Sequence, residues 1–362
     1  MKLKLISFGL LMGSIILFGA SCGKSTKNVA TPSGGAYVSH DSGETWTQMS
    51  SYVGGGNITQ VNPIKVAVDP FETKKLYMAG GTTGLLSFDA KTGEWNKIET
   101  PTTNVNGILI HPRNPNILFI FGNSSLVPQR SKIWKSFDGG ANWTEIYSDP
   151  IVKTGGIFSS KNAPAAINSL DIDPARPEIL LVGSSSGALL ISRDSGATWN
   201  NAHSFNYGVT GVKAAPNGNS WWVLLQNGIL ANSIDDGKNF TAVSVKNGDV
   251  SAKSVLAVQF AENSDKTLKI LAGTDHGVFQ STDTGKTWSS VNMPITDKQS
   301  VSVNAIALGG GEIYAGSGFL LYSSKANGTK WKVFQFPILN SIQSLVTDPQ
   351  DPKTLYAFFY PV

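Results

Sequence analysis

SRDSGATW, residues 192–199, decides the fold because the chain repeats it. SHDSGETW begins at Ser39, SFDGGANW at Ser136 and STDTGKTW at Ser281. A fifth copy, SIDDGKNF from Ser233, ends in Phe240 instead of Trp. Two copies are eroded: SFDAKTGEW, ending at Trp95, carries an extra residue, and SKANGTKW, ending at Trp331, lacks the Asp. Aligned on the last aromatic, the units end at residues 46, 95, 143, 199, 240, 288 and 331, at intervals of 41 to 56 residues.

Each residue type in the pattern suits a tight turn. The third position is Asp41, Asp138, Asp194, Asp235 or Asp283, and an Asp there accepts hydrogen bonds from backbone N–H groups two or more residues on. Gly takes a positive φ at little cost. The closing aromatic packs between neighbouring sheets and buries on the order of 150–250 Å². Each copy therefore predicts a hairpin between two outer strands, and the five aspartates are structural, neither catalytic nor metal-binding.

A second element lies upstream of most copies: an apolar run, Asp-Pro or a relic of it, then another apolar run. Examples are VAVDPFETKKLYMAG from Val66, ILIHPRNPNILFIFG from Ile108, LDIDPARPEILLVGS from Leu170 and LVTDPQDPKTLYAFF from Leu345, with weaker copies from Val212, Val258 and Ile306. These read as two strands joined by a Pro-led turn. Two strands plus one box hairpin make a four-stranded antiparallel blade, which suits the observed period. The last Asp-Pro element has no box after it, and the first box, at Ser39, has no such element before it. Paired, they complete a seventh blade. The expected fold is all-β: a seven-bladed β-propeller, closed by pairing of N- and C-terminal strands so that no sheet edge stays open.

Composition agrees. The chain has 38 Gly and only 15% charged residues, the profile of many short strands and tight turns. The N-terminus reads differently. Lys2 and Lys4 precede an apolar run from Leu5 to Phe18 that is too short to span a bilayer comfortably. Small residues Gly19, Ala20 and Ser21 then precede Cys22, the only cysteine. This resembles the lipobox of bacterial lipoproteins, in which the Cys is lipidated and becomes the new N-terminus. Gly19 stands where the lipobox usually has Leu, so ordinary signal-peptidase cleavage, leaving a free thiol, is the alternative. The expected organisation is a signal peptide over residues 1–21, a lipidated Cys and flexible tether over 22–34, and a propeller over 35–362. The head is expected outside the cytoplasm, anchored by lipid to a membrane of a bacterial envelope, periplasmic or surface-facing. Without Lys2 and Lys4, 27 basic residues face 25 acidic ones, which argues against a nucleic-acid partner. A mature domain without thiols has no disulfide and no Cys-ligated metal.

Together the boxes and Asp-Pro strands cover nearly all of residues 36–360 and resemble the BNR/Asp-box superfamily. That superfamily includes sialidases, xyloglucanase-type glycoside hydrolases, the sortilin ectodomain and a photosystem II assembly factor family. The resemblance implies the fold and says little of function. Sialidases grip a carboxylate with three arginines, whereas the four here are Arg113, Arg130, Arg176 and Arg193. Arg113 and Arg176 fall in turns between strands one and two and Arg193 in a box, all on the face opposite the family's pocket. The xyloglucanases of this kind place substrate between two propellers, and one is expected here. The assembly factors match the length and domain count but carry an arginine-rich patch that these four do not supply.

In such propellers ligands bind the top face, made of the turns between strands two and three and the links between blades. Two long top segments, Gly122–Lys132 and Ser148–Ala166, belong to one blade and must be neighbours. They are candidates for a binding wall carrying Gln129, Arg130, Lys153, Phe158 and Lys161, with a tolerated insertion as the alternative. Aligned first strands put Asn106, Asn168, Thr210, Asn304 and Gln343 at one repeated position, with Ile64 and Leu256 in the other two blades. They form either a hydrogen-bonding ring at the channel mouth or amides that satisfy nearby backbone and water. The top carboxylates are Glu99, Asp149, Asp249, Asp275 and Asp297, of which a glycosidase would need a facing pair. The four histidines show no ligand spacing, and no metal or cofactor is expected. The expected function is a monomeric, non-enzymatic binding or assembly propeller for a protein segment or glycan of the envelope. The alternative is a glycoside hydrolase or lyase acting on an extracellular polysaccharide.

Overall fold

A computed structural model describes residues 34–123, 130–149, 165–262, 267–294, 301–325, 328, 330–336 and 338–361. Within them the chain is a seven-bladed β-propeller without helices. Cys22 and the expected signal peptide lie outside the described residues.

Blade I comprises Lys65–Val68, Leu76–Ala79, Leu85–Asp89 and Glu94–Ile98. Blade II comprises Asn104–Ile110, Leu118–Asn123, Ser131–Ser136 and Thr144–Ser148. Blade III comprises Ile167–Ile172, Leu180–Ser184, Ala188–Ser192 and Asn200–Ser204. Blade IV comprises Val209–Ala214, Trp221–Leu225, Leu230–Ser233 and Thr241–Val243. Blade V comprises Val255–Glu262, Leu268–Thr274, Gly277–Ser281 and Ser289–Ser290. Blade VI comprises Ala305–Gly309, Glu312–Ser317, Leu320–Lys325 and Trp331–Gln335. Blade VII is the mixed one. Its order is Ile342–Thr347, Leu355–Phe359, Gly35–Ser39 and Thr47–Gln48, with Tyr37 opposite Ala357 in an antiparallel ladder. The closure expected from the sequence is present.

Second strands read as near-continuous apolar runs because both faces of each blade are covered. LYMA, LLVGS and LYAFF are buried at every position. The core accordingly divides into seven clusters, one at each junction between blades. The box aromatics reach back across these junctions. Trp95 of blade I donates its Nε1–H to Met49 O and packs on Phe358 of blade VII. Trp199 of blade III donates to Ile146 O and meets Tyr147 of blade II. Where the box has Phe240, the ring packs on Phe205 and His203 of blade III.

The box chemistry follows from one carboxylate. In blade III, Asp194 Oδ1 accepts from Ser192 Oγ and Thr198 N–H, and Oδ2 accepts from the Thr198 hydroxyl. Asp41, Asp138, Asp235 and Asp283 repeat this arrangement, with Asn142 and Asn239 in place of the Thr in two of them. The box turns bond to the one-to-two turn of their own blade, as Ser195 N–H does to Glu178 O, so both share the bottom face.

Candidate ligand-binding site at the channel mouth

The opposite face is built by a backbone irregularity. Between strands one and two, the register slips by one residue at Asn106, Asn168, Thr210, Leu256 and Gln343. In blades I and VI, Ile64 and Asn304 take the same place. Their N–H groups donate to Ala79 O and Gly316 O, the carbonyls opposite Lys65 and Ala305. One extra residue therefore recurs at the top of every first strand. A bulge re-aims the side chain it carries, and Ile64, Asn106, Asn168, Thr210 and Leu256 all line one cavity of about 300 Å³.

The ring is partly occupied with the fold itself. Asn168 Nδ2 donates to Val209 O of blade IV, and Thr210 Oγ1 donates to Leu224 O. Ser169 Oγ and Asp171 Oδ2 accept from Val212 N–H and Ala214 N–H, so three side chains of blade III stitch it to blade IV where no backbone ladder runs. Asn304 is exposed, and the Gln343 Oε1 is buried without a hydrogen-bond partner among the described residues. Neither Asn304 nor Gln343 lines the cavity.

The described ends of the two long segments meet. Ser131 Oγ accepts from Ile167 N–H, and Asp149 Oδ2 accepts from Ala165 N–H. Arg130 lies at this junction, close enough for its charge to act on Asp149. Gln129, Lys153, Phe158 and Lys161 lie outside the described residues.

Among the top carboxylates, Asp297 also lies outside the described residues. Burial pushes Asp149 up, against the Ala165 N–H, the Tyr147 hydroxyl and Arg130. Asp275 also meets an upward push from burial, but His276 and the Ser254 and Lys253 N–H groups hold it below the usual carboxylate range. Both side chains therefore close loops. Asp249 is exposed in the turn of a small hairpin, Lys246–Asn247 with Val250–Ser251. Among the described residues, no group of three His, Cys, Asp or Glu side chains gathers that could hold a metal ion.

Three residues that pattern reading missed stand in or beside the cavity. Lys65 and Lys213 line it, and Asp171 lies within electrostatic reach of both. The available signal was positional. The residue after the bulge is Gly107, Ser169, Gly211, Ala257, Ala305 or Ser344 in six blades, and Lys65 in the seventh.

This ring of blades, with its boxes, is similar to the β-propellers of the BNR/Asp-box superfamily. The family model described as "Sortilin, neurotensin receptor 3" (Sortilin-Vps10) matches residues 34–167. A xyloglucanase of Hypocrea jecorina (strain QM6a) is 24% identical over 89% of this chain and 43% of its own length. The chain thus spans less than half of that relative. Among solved structures, the GH74 xyloglucanase of Xanthomonas campestris superposes with a TM-score of 0.63 at 16% identity, over 86% of this chain and 52% of that one. YCF48 of Cyanidioschyzon merolae gives 0.58 at 12% identity, over 83% and 96%. A YCF48 structure bound to D1 peptide gives 0.58 at 13%, over 83% and 94%. At these identities the structural likeness carries the fold.

Proposed function

We propose that this propeller is a non-enzymatic binding or assembly module that recognises a protein segment or glycan at its top face. Cys22 would tether it to a bacterial envelope membrane, and it would act as a monomer without metal or cofactor. The observation that carries the reading is the recurrent bulge, which gathers five first-strand side chains from five blades around one cavity at the channel mouth. A site built from five blades at once is rigid, and rigid concave sites lined by apolar groups with a few placed polar ones suit ligand binding. The nearly whole-length structural match to YCF48, one structure of which holds a peptide, favours this reading.

The xyloglucanase relative favours a second reading, glycoside hydrolysis or lysis of an extracellular polysaccharide. Against it stand Asp149 and Asp275, whose carboxylates are engaged with loop N–H groups. One experiment separates the two. The full chain is offered a panel of peptides and polysaccharides, xyloglucan included, with binding and reducing-sugar release both measured. Binding without release is the expected result. Release that disappears with Asp149→Asn or Asp275→Asn would establish the hydrolase and defeat the proposal. The tether is tested separately: Cys22→Ser should abolish acyl labelling and block normal processing.

A further inference from the structure

Lys65 and Lys213 bring two positive charges to a cavity that holds little to balance them. Lys65 comes from the first strand of blade I and Lys213 from that of blade IV. Neither forms an ion pair among the described residues. Asp171 of blade III is the carboxylate both of them feel, and its Oδ2 is fixed at the seam by Ala214 N–H, 2.9 Å away. Among the described residues, Lys65 and Lys213 are the titratable side chains that line the cavity, and Asp171 stands beside it. Water reaches Lys65, yet protein surrounds its ammonium group. That burial, and then repulsion from Lys213, pushes the ammonium down to about 8, with Asp171 opposing. Burial pushes the Asp171 carboxyl up, against Lys213, the Ala214 N–H and Lys65.

Six other blades keep the Lys65 position small. The local sum of two lysines and one aspartate is a single positive charge, which a monoanion neutralises and a dianion overshoots. Phe121, Leu224 and Leu230 line the same cavity and suit an aliphatic stem. They also lower the local dielectric, which strengthens attraction between opposite charges.

We propose that the channel seats one carboxylate group between the Lys65 and Lys213 ammonium groups, entering from the mouth. The inference rests on the mouth being the binding face. The group is either the acidic side chain of a partner's segment or a free small carboxylate.

Calorimetric titration of the full chain tests this, with propionate and with a doubly capped peptide carrying one central Glu, beside its Gln counterpart, all at constant chloride. The Glu peptide should bind at least tenfold more tightly than the Gln peptide. Binding needs the charged ammonium, so affinity should fall about tenfold from pH 7 to pH 9 as Lys65 loses its proton. Lys65→Gln and Lys213→Gln should each weaken binding at least tenfold, with melting unchanged or raised. Binding of propionate and peptide alike identifies a side-chain carboxylate, and of propionate alone a free small acid. Measurable and equal binding of the Glu and Gln peptides, binding of neither propionate nor the Glu peptide, or a flat pH profile of the wild type for whichever of the two binds, overturns the inference even if a lysine variant fails to fold. Leu256→Glu, which places a competing charge at the mouth, separates the two claims. If both peptides bind alike and both weaken with this change, the mouth stands and the carboxylate falls. If binding ignores this change, the mouth is not the binding face.

Discussion

Thr284 sits at φ 60°, a left-handed conformation that β-branched residues rarely adopt. The same box position holds Ser42, Ser195 and Asp236 at 61°, 59° and 60°, and a Gly follows each of them at 82–96°. The turn therefore needs two consecutive left-handed residues. The sequence showed the second, because Gly recurs there, and hid the first, because Ser, Gly, Asp and Thr share that place. Thr284→Asn should stabilise the protein by ~0.5–1 kcal/mol in urea unfolding, since Asn tolerates this region and Thr does not. A loss of stability would contradict the strain. The box aspartates supply a second residue-scale prediction. The Thr198 hydroxyl, then the Thr198 N–H and Ser192 Oγ, hold Asp194 down to about 2 from the ordinary 3.8. Asp41, Asp138, Asp235 and Asp283 are held at about 2 as well. A carboxylate lowered on folding stabilises the fold above its unfolded value, and that contribution is lost as pH falls towards its folded value. Melting temperature should therefore drop steeply between about pH 4 and pH 2, and less so with Asp194→Asn. An unchanged melting temperature across that window would contradict the hydrogen-bonded box.

At the scale of elements, the strands were legible and the bulges were not. Runs such as LYMAG and LLVGS announce strands covered on both faces. A one-residue slip leaves no mark in a short strand, although it exchanges which side chains face which way. The aligned position of Asn106, Asn168 and Thr210 was visible as a repeat, whereas the bulge that turns it to the channel was not. For the same reason Lys65, Asp171 and Lys213 read as ordinary strand residues. Arg193, which the sequence places in a box, sets its guanidinium 5.5 Å from the Trp221 ring and donates to Asp236 O. Box aromatics differ in depth: Trp95 is 0% exposed, whereas Trp199 is half-buried. Trp95→Ala should cost ~3–5 kcal/mol, in the range of large core truncations, and Trp199→Ala clearly less. Chemical denaturation of both variants decides this. Equal losses would mean that the aromatics do not act as junction core in proportion to their burial.

At the scale of the molecule, the seven blades share one closure. The strand Leu355–Phe359 is buried at every position and lies between Ile342–Thr347 and Gly35–Ser39. It therefore joins the two ends of the described chain in one sheet. Without the middle strand, Gly35–Ser39 and Ile342–Thr347 would each present an unpaired edge of the kind that invites aggregation. The mouth depends on this closure, because bulges from separate blades converge only while the ring is shut. Tyr37, Phe336 and Phe359 pack together at the junction of blades VI and VII, with ring centroids 4.7 to 5.7 Å apart. Loss of the middle strand removes Phe359 from this cluster and strips both neighbours of their ladder. The most direct measurement is the solubility and thermal melting of the chain lacking residues 354–362, beside the full chain. An insoluble or protease-sensitive product is the predicted result. A soluble product that melts at the temperature of the full chain would contradict closure through blade VII, and with it the seven-bladed ring that forms the mouth.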